Sequence, residues 1–372
     1  MKNTFGNNVT LTLFGESHGA AVGAVLDGLA AGIPVSEAYI AERLSLRRPA
    51  FKTDTARKEK DAFSIVSGVF NGYTTGTPLT VVIPNTDTRS GDYANTRYLA
   101  RPSHADYTAH VKYLGFEDYR GGGHFSGRVT AALVAAGAIV LFALERAGIT
   151  IGSHILRCAG VSDTPFSPHP EEEIARLKGQ SFPVLNGEKR EEMIAAVEKA
   201  AAANDSAGGI IETAVCNLPA GLGNPWFDSV EGVLSHALFS LGGVKGVSFG
   251  AGYSLSDMRG SEANDEFYIA ENGKIATRTN RNGGVNGGIT NGMPVVFSCA
   301  VKPTPSISKL QSTVDFSKNE NAQIAIKGRH DPAIVRRICP VIESVAALVV
   351  CDFLAERYGE NALAEGKFTA DF

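Results

Sequence analysis

The stretch from Val129 to Leu144 is almost entirely apolar and is closed by Glu145 and Arg146. A helix that is apolar on every face has to be surrounded on every side. At about 1.5 Å per residue the run is short of the ~30 Å hydrocarbon core of a bilayer. It therefore reads as a buried helix, and no membrane partner is expected. The chain has 372 residues, 44% of them hydrophobic, which is enough to build a sizeable core around it. Length alone allows two domains or one large one. No interior linker and no fixed-period repeat divides the chain, so a single domain over 1–372 is expected. Within it, 163–189 reads as a surface excursion and 359–372 as a C-terminal tail.

Elsewhere the pattern mixes strands and helices. Val9–Phe14 alternates Thr with Val and Leu, as a half-buried strand does. Pro34–Leu46 has helical spacing with Ser36 as N-cap. Leu79–Ile83, Gly209–Asn217 and Met293–Val301 read as strands, and Glu191–Ala203, Ser229–Leu241 and Val341–Arg357 as helices. No regular strand–helix–strand rhythm runs through them, which favours α+β over a doubly wound sheet.

Five widely spaced cysteines without a CxxC predict buried thiols in a reducing cytoplasm and no metal site. The N-terminal MKNTFGNNVTLTLFG has no apolar run before a cleavage site, so no signal peptide is expected. The formal net charge of −4 argues against a general nucleic-acid binder. Yet residues 43–60 hold seven bases (Arg43, Arg47, Arg48, Lys52, Arg57, Lys58, Lys60) against Asp54 and Glu59, a local excess of five positive charges. Most such runs are solvated faces. Here Arg47-Arg48-Pro49 leaves a helix for a loop, where guanidiniums can converge on one anion. Phe51 is the one aromatic in the run, which favours a compact anionic metabolite over single-stranded nucleic acid. A polyanion binder is the alternative from outside the enzymes.

Glycine, with 41 residues, is in excess of its usual ~7% and clusters in loops. Gly15-Glu16-Ser17-His18-Gly19 follows a strand and presents Ser17 and His18 on a turn. Its GxSxG spacing fits a nucleophile elbow, but that motif needs a helix next, and AAVGAVLDG is strand-like. Arg101-Pro-Ser-His104-Ala-Asp106 puts a histidine between an arginine and an acid, a setting that favours a cationic acid beside a leaving anion. Gly121–Gly123, flanked by Arg120 and Arg128 and leading into a helix, suggests an anion or cofactor cradle. The segment 283–292 is rich in glycine and precedes Lys302-Pro-Thr-Pro-Ser306, and Asp331-Pro332 reads either as a helix N-cap pair or as a proton acceptor between arginines.

Taken together and in order, TLFGESHG (12–19), RRP (47–49), IPNTDTRSGDY (83–93), RPSHADYT (101–108), DYRGGG (118–123), LPAGLGNPWFD (218–228), GGVNGGITNG (283–292), KPTPS (302–306) and KGRHDP (327–332) resemble the chorismate synthase family. The resemblance spans nearly the whole chain. It implies a β-α-β sandwich, usually a homotetramer, that makes chorismate from 5-enolpyruvylshikimate 3-phosphate by 1,4-anti elimination of phosphate with reduced FMN. By the same resemblance, His18 protonates the reduced flavin, His104 stands at the leaving phosphate, and Asp331 assists proton removal at flavin N5. Ser17, Arg47, Lys52, Arg101, Arg128 and Arg329 correspond to substrate contacts. FMN contacts correspond to His124, Phe125, Ser126, Gly242, Gly243, Gly287, Lys302, Pro303, Thr304, Pro305, Ser306 and Arg329. The resemblance allows two sources of reduced flavin, the chain's own reduction with NADPH or an external flavin reductase.

The chain departs from the family pattern in three segments. His124-Phe125-Ser126 replaces Arg-Ser-Ser, Ser103 replaces Gly, and Lys52 stands for an arginine in a basic loop one residue shorter.

Overall fold

The computed structural model describes residues 2–51, 60–86, 97–271, 273–326 and 331–368. Ten strands form two antiparallel five-stranded sheets. In chain order these are β1 (Thr4–Phe5), β2 (Thr10–Gly15), β3 (Ala21–Asp27), β4 (Ser64–Ser67), β5 (Leu79–Pro84), β6 (Thr150–Cys158), β7 (Val161–Ser162), β8 (Gly209–Cys216), β9 (Val244–Phe249) and β10 (Val295–Val301). The first sheet has the order β1-β2-β3-β5-β4 and the second β9-β10-β8-β6-β7. The helices that matter here are α1 (Glu37–Ser45), α2 (Asp106–Lys112), α3 (Thr130–Arg146), α4 (Glu171–Leu177), α5 (Gly187–Ala202), α6 (Val230–Phe239) and α7 (Val335–Tyr358).

The all-apolar stretch explains the layering. Helix α3 lies on β3 and β5 of the first sheet, α7 lies on β6 and β8 of the second, and the two helices pack against each other. The result is sheet, helices, sheet, the expected β-α-β sandwich. Gly137 lets the helices approach, since a Cβ there would meet the Ser344 side chain at 2.3 Å. Gly127–Arg146 and Val335–Tyr358 are long and apolar enough to cross a membrane, but 83% and 94% of their apolar windows are buried. Twenty residues thus reach the length that the shorter Val129–Leu144 reading fell below; burial in the core, not length, accounts for this helix. All five cysteines are free and buried.

Local readings hold where caps and alternation are strong. The Ser36 side chain accepts from the Tyr39 N–H at the start of α1, as expected. The AAVGAVLDG run is strand β3, so no helix follows the GESHG turn and a nucleophile elbow is excluded. Two readings change. α7 begins at Val335, six residues before the expected Val341, and carries Pro340 inside it. A proline this near the start removes one internal hydrogen bond, and the buried flanks of the helix offset that loss. Pro332 therefore does not open the helix, and Ile334, not Asp331, is the N-cap.

The 163–189 stretch is also more than a surface excursion. Phe182 and Val184 are buried in the core, and α4 packs on β6. A buried cluster fastens the stretch to the second sheet. His154 on β6 faces Glu212 on β8 with Nε2 to Oε2 at 2.8 Å, and its Nδ1 lies 3.4 Å from Asp163 Oδ2. Backbone N–H groups of Phe166, Leu185 and Asn186 donate to the same two carboxylates.

Candidate active site

A cleft of about 990 Å³ gathers most of the residues that the sequence singled out. Its lining is of two kinds. Leu11 and Leu13 of β2, Leu133 of α3, and Val341, Val345 and Leu348 of α7 form an apolar surface. The α7 members recur at helical spacing, so one face of that helix serves the cleft. Arg47, Arg48, Asp61, His104, Arg128, Asp331 and Arg337 supply charge.

Arg47 and Arg128 meet on one carboxylate. Arg47 Nη1 lies 3.3 Å from Asp61 Oδ2, and its Nη2 donates to the Gly127 carbonyl (3.1 Å) and the Thr130 hydroxyl (2.8 Å). Arg128 Nη1 pairs with Asp61 Oδ1, while its Nε donates to Asn85 Oδ1 (2.8 Å) and its Nη2 to the Pro84 carbonyl (3.1 Å). The three residues are only 6%, 7% and 8% exposed in the order Arg47, Asp61, Arg128. Asn85 also donates from Nδ2 to the carbonyls of Glu16 and Gly19, at 2.9 Å each. It thereby ties the GESHG turn to Arg128. Arg337 donates to the Arg47 carbonyl and pairs with Asp331.

The basic run is not one charged face. Arg43 leaves it to pair with Glu343 in the interior, where Glu343 also accepts from the Ser153 N–H. Lys52, Arg57 and Lys58 lie outside the described residues, as does Arg329.

The triple-glycine loop has a different use from the expected anion cradle. Gly121, Gly122 and Gly123 all have positive φ. A Cβ on Gly121 would sit 2.2 Å from the His18 ring, and one on Gly122 would sit 3.3 Å from His104 Cε1. Adjacent glycines thus let both histidines close on the same piece of backbone. The Gly123 carbonyl accepts from the N–H of Ser17, which is fully buried. Neither Ser17 nor His18 lines the cleft; they pack on the glycine loop that leads into the cleft-lining segment from His124 to Thr130.

His104 is held by a carboxylate. Its Nδ1 is 2.7 Å from Asp106 Oδ1, and Arg101 donates to the same carboxylate through Nε and Nη2, both at 2.7 Å. Burial alone would raise the Asp106 pKa, but the hydrogen bonds from Arg101 and His104 outweigh it and hold the carboxyl well below the usual range. An ionised Asp106 accepts only, so Nδ1 carries the proton towards it and Nε2 is left on the other side of the ring. Arg101 does not line the cleft; it braces His104 and reaches the Ser306 hydroxyl at 3.3 Å. Ser103, where the family pattern has glycine, sits at φ 61° and accepts from Lys302 Nζ at 2.5 Å. Burial, then nearby Lys245, lowers the Lys302 pKa.

Of the expected flavin contacts, His124, Phe125, Ser126, Gly242, Gly243 and Lys302 to Ser306 all line the cleft. His124 Nδ1 donates to the Gly15 carbonyl (2.8 Å), whereas Phe125 is 45% exposed. Gly287 belongs to a separate hairpin against Ser229 and does not line the cleft. A phosphate ester bearing a broad, largely apolar ring fits this donor set, which offers an apolar surface, a lysine and guanidiniums together.

Sequence reasoning missed Asp61, Arg337 as the partner of Asp331, and His236, which lines the cleft and packs edge-on against Phe5 at 5.3 Å. Asp61 had a weak signal: a lone acid placed directly after the basic run.

Known proteins resemble this chain over nearly its whole length. Residues 9–355 match the family model described as Chorismate synthase. The chain is 46% identical over 352 residues to chorismate synthase of Thermococcus gammatolerans, covering 95% of this chain and 97% of that one. It is 45% identical over 351 residues to the enzyme of Methanocella arvoryzae, covering 94% and 93%. A crystal structure of chorismate synthase superposes with a TM-score of 0.76 at 29% identity, over 95% of this chain and 94% of that one. The chain belongs to the chorismate synthase family, lyases that convert 5-enolpyruvylshikimate 3-phosphate to chorismate with reduced FMN.

Proposed function

We propose that this cleft is the chorismate synthase active site and that its residues divide the work as follows. Arg47, Arg48 and Arg128, with Lys52 and Arg329, hold the anionic groups of the substrate. A buried guanidinium gains most from a phosphate or carboxylate because little water screens it. His104 stands as the acid for the leaving phosphate. Asp106 accepts a hydrogen bond from Nδ1–H, so the proton to be given is on Nε2. Arg101 keeps Asp106 ionised and the ring in place.

His18 and Asp331 are the proton-handling groups on the flavin side. His124, Phe125, Ser126, Gly242, Gly243 and Lys302 to Ser306 would hold FMN in the cleft, and Gly287, which lies outside it, would not. When bound, reduced FMN lends electron density while phosphate leaves the ring. The apolar surface that Leu133, Val341 and Val345 present to the cleft would limit the water at the reacting centre.

The single observation that carries this reading is the convergence of His104, Arg47, Arg128 and Asp331 on one cleft with the 124–126 and 302–306 segments. The test is chorismate formation by the purified chain under anaerobic conditions with chemically reduced FMN. Chorismate is expected, and its absence refutes the reading. Repeating the assay with oxidised FMN and NADPH separates a self-reducing enzyme from one served by an external flavin reductase.

The same reading includes a homotetramer in the cytoplasm. Trp226, Phe227 and Tyr253 are 89%, 94% and 87% exposed, which is unusual for aromatics unless another surface covers them. Buried thiols suit a reducing compartment. Light scattering of the purified chain is expected to give four copies.

A further inference from the structure

Arg47 and Arg128 each spend a guanidinium nitrogen on a different oxygen of Asp61, and all three side chains are almost fully buried beside the cleft. Two guanidiniums this close repel each other, and the repulsion is strong where water is scarce. A carboxylate between them removes most of that cost. It also fixes both planes, because each arginine is anchored again on the protein. Arg47 is held by Gly127 and Thr130, and Arg128 by Asn85 and Pro84. The trio carries a net charge of plus one instead of plus two. It therefore offers an anion two prepared donors at the expense of raw attraction.

We propose that Asp61 is a positioning residue of the anion subsite, which aligns Arg47 with Arg128 and tempers their combined charge. The proposal rests on the reading that these arginines hold the phosphate or carboxylate of the substrate. Alignment and charge act on different measurements. Alignment serves turnover, which needs the substrate in one pose. Charge serves any anion, whatever its pose.

Asp61→Asn separates the two. The amide oxygen still accepts from one guanidinium, but its NH2 faces the other and breaks the alignment. With reduced FMN under anaerobic conditions, kcat is expected to fall about thirtyfold. Inorganic phosphate, measured as a competitive inhibitor of the same protein, is expected to bind about threefold more tightly. A carboxylate that merely supports the fold would weaken both together. Unchanged or weaker phosphate inhibition, or an unchanged kcat, overturns the proposal.

Should Asp61→Asn fail to fold, Asp61→Glu keeps the charge and shifts the carboxylate. It is expected to lower kcat while leaving phosphate inhibition as in the parent, and a tightened inhibition there overturns the proposal. If phosphate does not compete with substrate in the unaltered protein, the underlying reading of the arginines fails and takes this proposal with it. Normal competition with the wrong sign in the variants defeats this proposal alone.

Discussion

The Arg47–Asp61–Arg128 cluster and the His154–Asp163–Glu212 cluster both bury opposite charges against each other, yet only the first borders the cleft. His154 and Asp163 have fully buried side chains, and both carboxylates of that cluster also take backbone N–H groups. These contacts fasten 163–186 to the second sheet, and none of the three residues lines the cleft. Arg47, Asp61 and Arg128 line the cleft, where an entering ligand would meet them. Burial of charge alone is therefore no mark of a functional site; access for a ligand decides it.

The sharpest way to break this contrast is to remove one member from each side. Arg47→Ala is expected to lower kcat/KM by about a thousandfold, because it leaves Asp61 buried without one of its cations. Anaerobic steady-state kinetics with reduced FMN reads this directly. Glu212→Gln is expected to cost about 3–5 kcal/mol of stability and to leave kcat of the folded fraction alone. Urea unfolding beside the same assay shows both, and a kcat that drops with stability intact would place the internal cluster in the reaction.

Gly121→Ala tests the loop between the histidines. Its Cβ would press on the His18 ring at 2.2 Å, and a loss of about a hundredfold in kcat is expected.

Acid and base sharpen the contrast further. Burial on its own would lower the His154 pKa, but hydrogen bonds to Asp163 and Glu212 raise it. Its contribution is full below the unfolded value near 6.5 and is lost as pH rises through the folded value. Burial would raise the Asp163 pKa, but the His154 hydrogen bond and backbone N–H groups lower it. That contribution is present above about 3.9 and is lost as pH falls through the depressed value. Melting temperature is thus expected to decline on the alkaline side, and His154→Gln to flatten that decline without changing KM. The smallest effect expected is from Ser103→Gly, which relieves a left-handed serine and stabilises the fold by about 1–2 kcal/mol.

Much of the site was readable as single residues. His18, His104, Arg47, Arg128 and Asp331 stand in short motifs whose residue types fit anion and proton chemistry. What the motifs did not carry was their pairing. Asp61 lies next to the basic run and opposes it in sign, so a charge tally treats it as dilution. In space it is the carboxylate on which Arg47 and Arg128 meet. Asp331 read either as a helix cap or as a proton acceptor between arginines; it does not cap α7 and pairs with Arg337 on the first turn of that helix. The glycine loop read as a ligand cradle because free N–H groups before a helix suggest one. Its neighbours, His18 and His104, come from the turn after β2 and the start of α2.

Beyond a family resemblance carried by short motifs, the sequence by itself determined that a helix apolar on every face must be enclosed and that strands and helices mix without a regular alternation. Those properties follow from period, composition and local turn chemistry, which act within a few residues. Tertiary structure decided which charge opposes which. Arg43 was drawn off to Glu343, Arg47 and Arg128 were set on Asp61, and His154 was closed between two acids. Electrostatic partners in a folded core are chosen by proximity, and proximity between residues 47, 61 and 128 exists only after two sheets have closed around two helices.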